Sequence, residues 1–326
     1  MYINWIHHYL PRLFGLLAFL VNPVFIYLIF TEKVANFGNY RYILLSFASF
    51  DLVYSGTVFL LPVHVYNYRY SFSIFISEGW FQPSSDFNFF LLAARCSLVS
   101  GSYAILLSHF CYRFLVIRDS VYVSSEFHIF LLASFGAFLA YSWIWFSVGY
   151  FLTFPGGKDY IREHFRETFG EDPDDFNIFT AIYNEAPTDS VVLSFFGLIS
   201  LTVLSMLTCL LFVTLGFLTM RKINRMVTNM SISTAKLQRE LLKALAVQTA
   251  IPIFISFSPC LLAWYSPMFN LDMGKAISMI EVVNLAAFPF LDPIAIVLCL
   301  PVLRRRIFRT KKVVKIQSIE LNTTIQ

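Results

Sequence analysis

Seven stretches of this chain are long and apolar enough to cross a bilayer, and no other feature restricts its fold as strongly. A helix that spans the ~30 Å hydrocarbon layer needs about 20 mostly apolar residues. Runs of that kind, bounded by charge or turn residues, fall near 13–30, 42–61, 89–117, 129–154, 191–220, 242–265 and 276–300. With 57% hydrophobic and only 13% charged residues, the chain is too apolar for an ordinary soluble domain. The expected fold is an all-α membrane protein, a seven-transmembrane helix bundle over 13–300. Residues 1–12 form an N-terminal segment and 301–326 a basic tail. The first run is longer than the core of a signal peptide and has no small-residue cleavage pattern behind it, so it reads as retained.

Lys and Arg resist translocation, so their distribution over alternate loops reports orientation. Seventeen lie on the side that holds Arg41, Arg113, Arg221, Lys243 and the tail, and six on the side that holds Arg12, Arg69, Lys158 and Lys275; Arg95 lies within a span. This places the N-terminus outside and the C-terminus inside. The acids agree, because Asp159 to Asp189 crowd the one long loop that this topology makes extracellular. The net charge of +4 is therefore a matter of topology, and no nucleic-acid partner is expected. In the tail, Leu303 to Phe308 has apolar residues at helical spacing, which suits a short helix on the lipid surface. The sequons at Asn229 and Asn322 fall on the inner side and should carry no glycan.

All five cysteines lie in or at the ends of spans, so the loop 155–190 cannot be stapled by a disulfide and must be ordered by packing. Within it, Tyr160, Ile161, Phe165 and Phe169 form a helical stripe that ends at Gly170. A small helix over the bundle is expected there. The acidic run Glu171 to Asp175 lacks the spacing and glycine of an EF-hand loop and reads as a solvated turn.

An ionisable side chain at membrane depth costs ~2.5–3.5 kcal/mol on insertion scales, so each needs a partner or a function. Asp51, Arg95, Glu281 and Asp292 stand out. Asn22, Asp51 and Asp292 read as an intramembrane polar cluster, with Asn22-Pro23 and Asp292-Pro293 as repeated polar–proline pairs; the alternatives are a hydrated or cation-holding switch and a static hydrogen-bonded knot. Arg95 and Glu281 lie about five or six residues inside their spans, roughly 8–9 Å deep, where they can pair. With Tyr103 and Trp264 they are the candidate ligand contacts in a mostly apolar pocket. Arg113 is expected to end the third span at the surface and to snorkel there. A switch role for Tyr112 and Arg113 would use Glu240, the sole acid of the third inner loop, as the resting partner of Arg113. Thr228, Ser231, Ser233 and Thr234 are possible phosphate acceptors in that loop. No His/Cys/Glu set has metal-site spacing, and no nucleophile elbow, zinc helix or P-loop occurs, so neither an enzyme nor a cofactor is expected.

Several segments together carry a resemblance: "LLAARCSLVSGSYAILLSHFCYRF", "NPVFIYLIFTEKVANFGNYRYILL", "PVHVYNYRYSFSIFISEGW", "AVQTAIPIFISFSPCLLAWYSP" and "AFPFLDPIAIVLCLP". The chain resembles the nematode serpentine chemoreceptors of the Str superfamily, class j, over nearly its whole length. That resemblance implies a seven-helix plasma-membrane receptor on the sensory cilia of chemosensory neurons. It would detect an environmental small molecule or peptide and signal through a heterotrimeric G protein. Tyr112-Arg113 resembles the Asp-Arg-Tyr motif of rhodopsin-like receptors with its acid replaced, and Asp292-Pro293 the start of their Asn/Asp-Pro-x-x-Tyr motif. The alternative is a seven-span ligand-gated cation channel of the insect odorant-receptor type, which has an internal N-terminus and is disfavoured by the Lys/Arg count.

Overall fold

The computed structural model describes residues 3–32, 37–153, 156–226, 232–271 and 274–308. The elements run α1 (Trp5–Thr31), α2 (Tyr40–Leu60), β1 (Val63–Tyr68), β2 (Ser71–Ile76), α3 (Asp86–Val116), α4 (Phe127–Phe151), α5 (Gly157–Phe169) and β3 (Ile178–Ile182). They continue with α6 (Thr188–Met226), α7 (Ile232–Ile251), α8 (Ser258–Tyr265), α9 (Gly274–Cys299) and α10 (Pro301–Phe308). A π-helical turn, Pro252–Phe257, joins α7 to α8. Seven helical stretches are apolar and long enough to cross a membrane: α1, α2, α3, α4, α6, α7–α8 and α9.

The expected spans are all present, and the main differences lie at their ends. Helix α1 starts at Trp5, so residues 5–12 are helical rather than a loose outer segment; Asn4 caps the helix by accepting the His7 N–H at 2.8 Å. Helices α6 and α7 run beyond the apolar runs at 191–220 and 242–265, because helix carries on past the hydrocarbon limit that those runs mark. Large apolar side chains such as Leu132, Phe135, Val213 and Phe217 point away from the bundle, the inversion expected where the surrounding solvent is lipid. Helix α4 is the extreme case, since Phe130 and Trp145 are its only buried residues.

The sequence reading missed a three-stranded antiparallel sheet, ordered β1-β2-β3, over one end of the bundle. The hairpin is visible in retrospect: "VHVYNYRYSFSIFI" alternates and is rich in β-branched and aromatic residues, and Tyr68 pairs with Ser71 across a two-residue loop. Arg69 in that loop takes φ 50, and its guanidinium reaches Glu185 at 2.8 Å. Alternation sorts the faces. Val65, Phe72 and Ile74 pack on the bundle, whereas Tyr66, Phe75 and Ile178 pack on Ile161 and Phe165 of α5. The expected small helix is therefore present, with its apolar stripe against the sheet and Gly170 at φ 72 ending it.

Packing and hydrogen bonds, with no disulfide among the described residues, hold this cap. The His7 ring bonds the Val63 carbonyl at 3.1 Å, Asn67 donates to the Ala263 carbonyl at 2.9 Å, and Ser194 accepts the Ile182 N–H at 3.0 Å. The acidic turn is not simply solvated. Arg162 reaches Asp159, Asp172 and Asp174 at 2.6–2.7 Å, and Arg166 also pairs with Asp172. At the other end, here the tail end, α10 forms the short helix expected there, with Leu303 buried and Arg304 to Arg306 exposed. The sequons and the loop residues Thr228 and Ser231 lie outside the described residues, as do the side chains of Ser233 and Thr234.

Two outcomes test the cap. A Cβ added at Gly157 would stand 2.4 Å from the Thr180 Cβ, so Gly157→Ala has to push α5 off the sheet. It is expected to cost about 1–3 kcal/mol of cap stability, read as faster hydrogen exchange in 157–182 with the bundle helices unchanged. The Asp174 N–H and Arg166 hold the Asp172 carboxyl below the usual carboxylate range. A depressed folded value stabilises above the unfolded value of ~3.9 and is lost as pH falls through the folded one. Exchange protection of α5 should therefore be flat from neutral pH to about 5 and decline below about 4.

Candidate functional site

Polar groups gather at three depths of the bundle. At mid-depth, proline chemistry explains the placement of Asn22. Pro293 has no N–H, so the Pro289 carbonyl one turn earlier in α9 lacks its helical donor. The Asn22 side chain of α1 donates to that carbonyl at 3.0 Å and to its own Ala18 carbonyl at 3.1 Å. Asp292, on the same turn of α9, stands close enough to Asp51 of α2 for the two carboxyls to interact electrostatically. Both are fully buried, and none of their four oxygens has a protein hydrogen-bond partner. The expected polar cluster is thus assembled, with Asn22 committed to the α9 backbone rather than to the two acids.

Towards the cap, the expected Arg95–Glu281 ion pair does not form. Arg95 lies with its Cζ 4.2 Å above the Tyr54 ring, and Tyr54 is held edge-on by Phe288 at 4.5 Å. Glu281 of α9 faces the Cys260 thiol of α8 instead. Cys96 lies within electrostatic reach of both charged groups, so they share one layer without touching. A cation over an aromatic face inside the bundle gives Arg95 a partner that needs no acid.

The other two ligand candidates separate. Tyr103 is core, its ring 6.1 Å from Phe257 in the π-turn. Trp264 borders a cavity of about 120 Å³ lined by α3, α4, α6, α8 and strands β2 and β3. Trp145, which was not singled out from the sequence, borders it too, with its ring 5.5 Å from that of Trp264. The available signal was the second of two tryptophans, Trp143 and Trp145, of which only Trp145 lies on the inward side of an otherwise lipid-facing helix. That side is hard to read because the apolar residues of α4 run round all its faces.

At the tail end, Arg113 does not snorkel. It is 3% exposed, with its Cζ 3.5 Å from the centroid of the Tyr40 ring. Tyr40 stacks on Tyr112 at 5.5 Å, and its hydroxyl meets the His109 ring at 2.9 Å. The expected partner Glu240 forms no ion pair with Arg113; Gln238, two residues earlier on α7, accepts from it at 3.4 Å. Helical geometry decides this, since residues two apart on α7 face different directions. The Arg113 Nε and Nη2 are buried without a partner.

Seven apolar helices around buried polar layers, a folded cap at one end and a basic helix at the other define a multi-pass membrane protein of the seven-helix receptor class. A sequence model of the family described as serpentine type 7TM GPCR chemoreceptor Srj matches residues 1–307. The chain is 45% identical to serpentine receptor class J-38 of Caenorhabditis elegans over 306 residues, 93% of each chain. It is 26% identical to the G-protein coupled receptor str-33 of the same organism, covering 79% of this chain and 77% of that one. It is also 26% identical to serpentine receptor class r-10, covering 90% and 87%. The chain belongs to the Srj family of serpentine chemoreceptors.

The Asn22–Pro289 contact can be tested directly. Asn22→Leu leaves a carbonyl without a donor inside the bundle and is expected to cost about 1–3 kcal/mol. Pro293→Ala restores the missing N–H, so Asn22→Leu with Pro293→Ala should be markedly less destabilised than the two single losses added together. A double-mutant cycle on thermal unfolding of the purified protein measures this coupling; additive losses would refute it.

Proposed function

We propose that this protein is a chemosensory G-protein-coupled receptor of the plasma membrane of sensory cilia. It binds an environmental small molecule or peptide in its cap-side half and passes the event to a heterotrimeric G protein on its tail side. Family membership and the Lys/Arg excess at the tail end support this reading. The observation that carries it is the placement of Arg113. A buried guanidinium at the tail end of α3 reaches α7 through a single long hydrogen bond to Gln238, with two further nitrogens, Nε and Nη2, unpartnered.

Such a contact holds α3 to α7 weakly. A ligand that binds better to the arrangement in which α7 has moved away shifts the population towards it. Tyr40 and Tyr112 keep the guanidinium in place as α7 departs, so the charge stays at the tail face instead of relaxing towards water.

Expression with epitopes at both termini tests the orientation. The N-terminal tag should be stained on intact cells and the C-terminal tag only after permeabilisation; the reverse would favour the channel reading. For the latch, Gln238→Glu turns a long bond from a cation to a neutral amide into an ion pair and should lower basal nucleotide exchange severalfold. Gln238→Ala should raise basal exchange, while Glu240→Ala should leave it near the parent level. Equal basal exchange in all three would sink the latch.

A further inference from the structure

The cavity beside Trp145 and Trp264 is lined almost entirely by apolar side chains, and the polar groups on its wall are mostly committed. The Thr153 hydroxyl donates to the Gly149 carbonyl at 2.8 Å, the Ser194 hydroxyl accepts the Ile182 N–H at 3.0 Å, and Thr180 accepts from Ser73 at 3.4 Å. Two groups stand apart: the hydroxyl of Tyr183, which also lines the cavity, and the indole N–H of Trp145, which is buried and has no hydrogen-bond partner, on a side chain only 7% exposed. A buried donor without a partner is a cost that native structures rarely carry without a reason. Here it sits on a residue whose ring borders empty space.

The walls also show which way the cavity faces. Strands β2 and β3 roof it from the cap side through Phe72, Ile74 and Phe179. On the α4–α6 side, Val148, Leu152, Leu193 and Leu201 border it and are only partly buried. Their helix neighbours Ile144, Phe196 and Ile199 are exposed on the lipid face. At Gly197 the two helices come close enough that a Cβ would meet Val148 at 3.1 Å and Leu152 at 3.2 Å, so the seam is narrow and aliphatic at this level.

We infer that this cavity is a binding site for a compact, uncharged, lipophilic molecule bearing one hydrogen-bond acceptor, which enters from the bilayer between α4 and α6 and accepts from the Trp145 N–H. The inference rests on the receptor reading and assigns it a site and a ligand class. Size supports the class: a dry apolar cavity of ~150 Å³ takes a benzene-sized guest, and this one is about 120 Å³. A peptide does not fit such a space, and a charged molecule would meet no counter-charge on its wall. Donors on the wall, the Trp145 N–H and the Tyr183 hydroxyl among them, select for a carbonyl, ether or ester oxygen over a plain hydrocarbon. Strands β2 and β3 lie on the cap side of the cavity and lipid-facing helices on the other, so the bilayer both concentrates the ligand and delivers it.

The test uses purified receptor in lipid nanodiscs, labelled with 5-fluorotryptophan at its five tryptophans and observed by fluorine NMR. The Trp145 resonance is assigned by its loss in Trp145→Phe. Cyclohexanone should shift that resonance and bind on the order of tenfold more tightly than methylcyclohexane, which has the same shape and no acceptor. Trp145→Phe should remove the preference while hydrocarbon binding stays. Equal affinity for the two probes, or a Trp145 resonance that neither moves, overturns the site. Should Trp145→Phe fail to fold, Leu193→Phe fills the cavity from the α6 side and should weaken cyclohexanone binding; unchanged affinity would again overturn it. A charged ketone, 4-oxocyclohexanesulfonate, should not compete, and effective competition would refute a site for uncharged ligands. Nucleotide exchange on the G protein is measured separately. Binding at Trp145 without any effect on exchange upholds the site and counts against the signalling reading, whereas no binding overturns the site whatever exchange does.

Discussion

In hydrocarbon, a backbone carbonyl that loses its helical donor cannot turn to water, and much of this bundle is arranged around that constraint. Pro293 breaks the hydrogen-bond ladder of α9 where Asp292 has to face Asp51, and Asn22 crosses from α1 to bond the carbonyl thus exposed. One missing N–H therefore fixes the register of α1 against α9 and the position of the only two carboxyls that meet at mid-depth among the described residues. The π-turn at Pro252–Phe257 meets the same constraint in α7–α8, where Ser258 donates to the Ile253 carbonyl at 3.0 Å. In both places the local irregularity is satisfied inside the protein and marks a point where helices can change their relation.

The buried charges follow a related logic. Neither Arg95 nor Arg113 has an acid for a partner; each lies against a tyrosine ring, Tyr54 or Tyr40. An aromatic face lowers the cost of burying a guanidinium without the geometric demands of an ion pair, and it leaves N–H donors free. The cap shows a similar economy of means: a sheet and one helix close the bundle with aromatic packing and side-chain to backbone bonds, and so also form the roof of the cavity between α4 and α6.

Much of the fold was legible in the residues. Apolar runs of membrane-spanning length and the Gly170 stop signal each rest on a strong one-dimensional rule. The sheet was overlooked because a short amphipathic hairpin is a weak signal beside runs of 20 or more apolar residues, although Val63 to Ile76 alternates clearly. The site was less legible. Asp51 and Asp292 were found because a mid-span carboxyl is conspicuous anywhere, but Glu240 was preferred to Gln238 because a charge attracts notice in a sequence and an amide does not. Trp145 was hidden by the all-round apolarity of α4.

By itself the sequence determined that this chain lies in a membrane, crosses it seven times, belongs with the serpentine receptors and carries a few costly polar groups at membrane depth. Hydropathy, charge and spacing are properties of the residues along the chain, and the bilayer acts on them one segment at a time. Only the tertiary structure decided which polar groups meet: Asn22 with a carbonyl freed by proline, Arg95 with Tyr54 rather than Glu281, Arg113 with Tyr40 and Gln238, and Trp145 with an empty space. Those pairings depend on helix rotation and relative depth, which packing between distant segments sets and which no single segment contains.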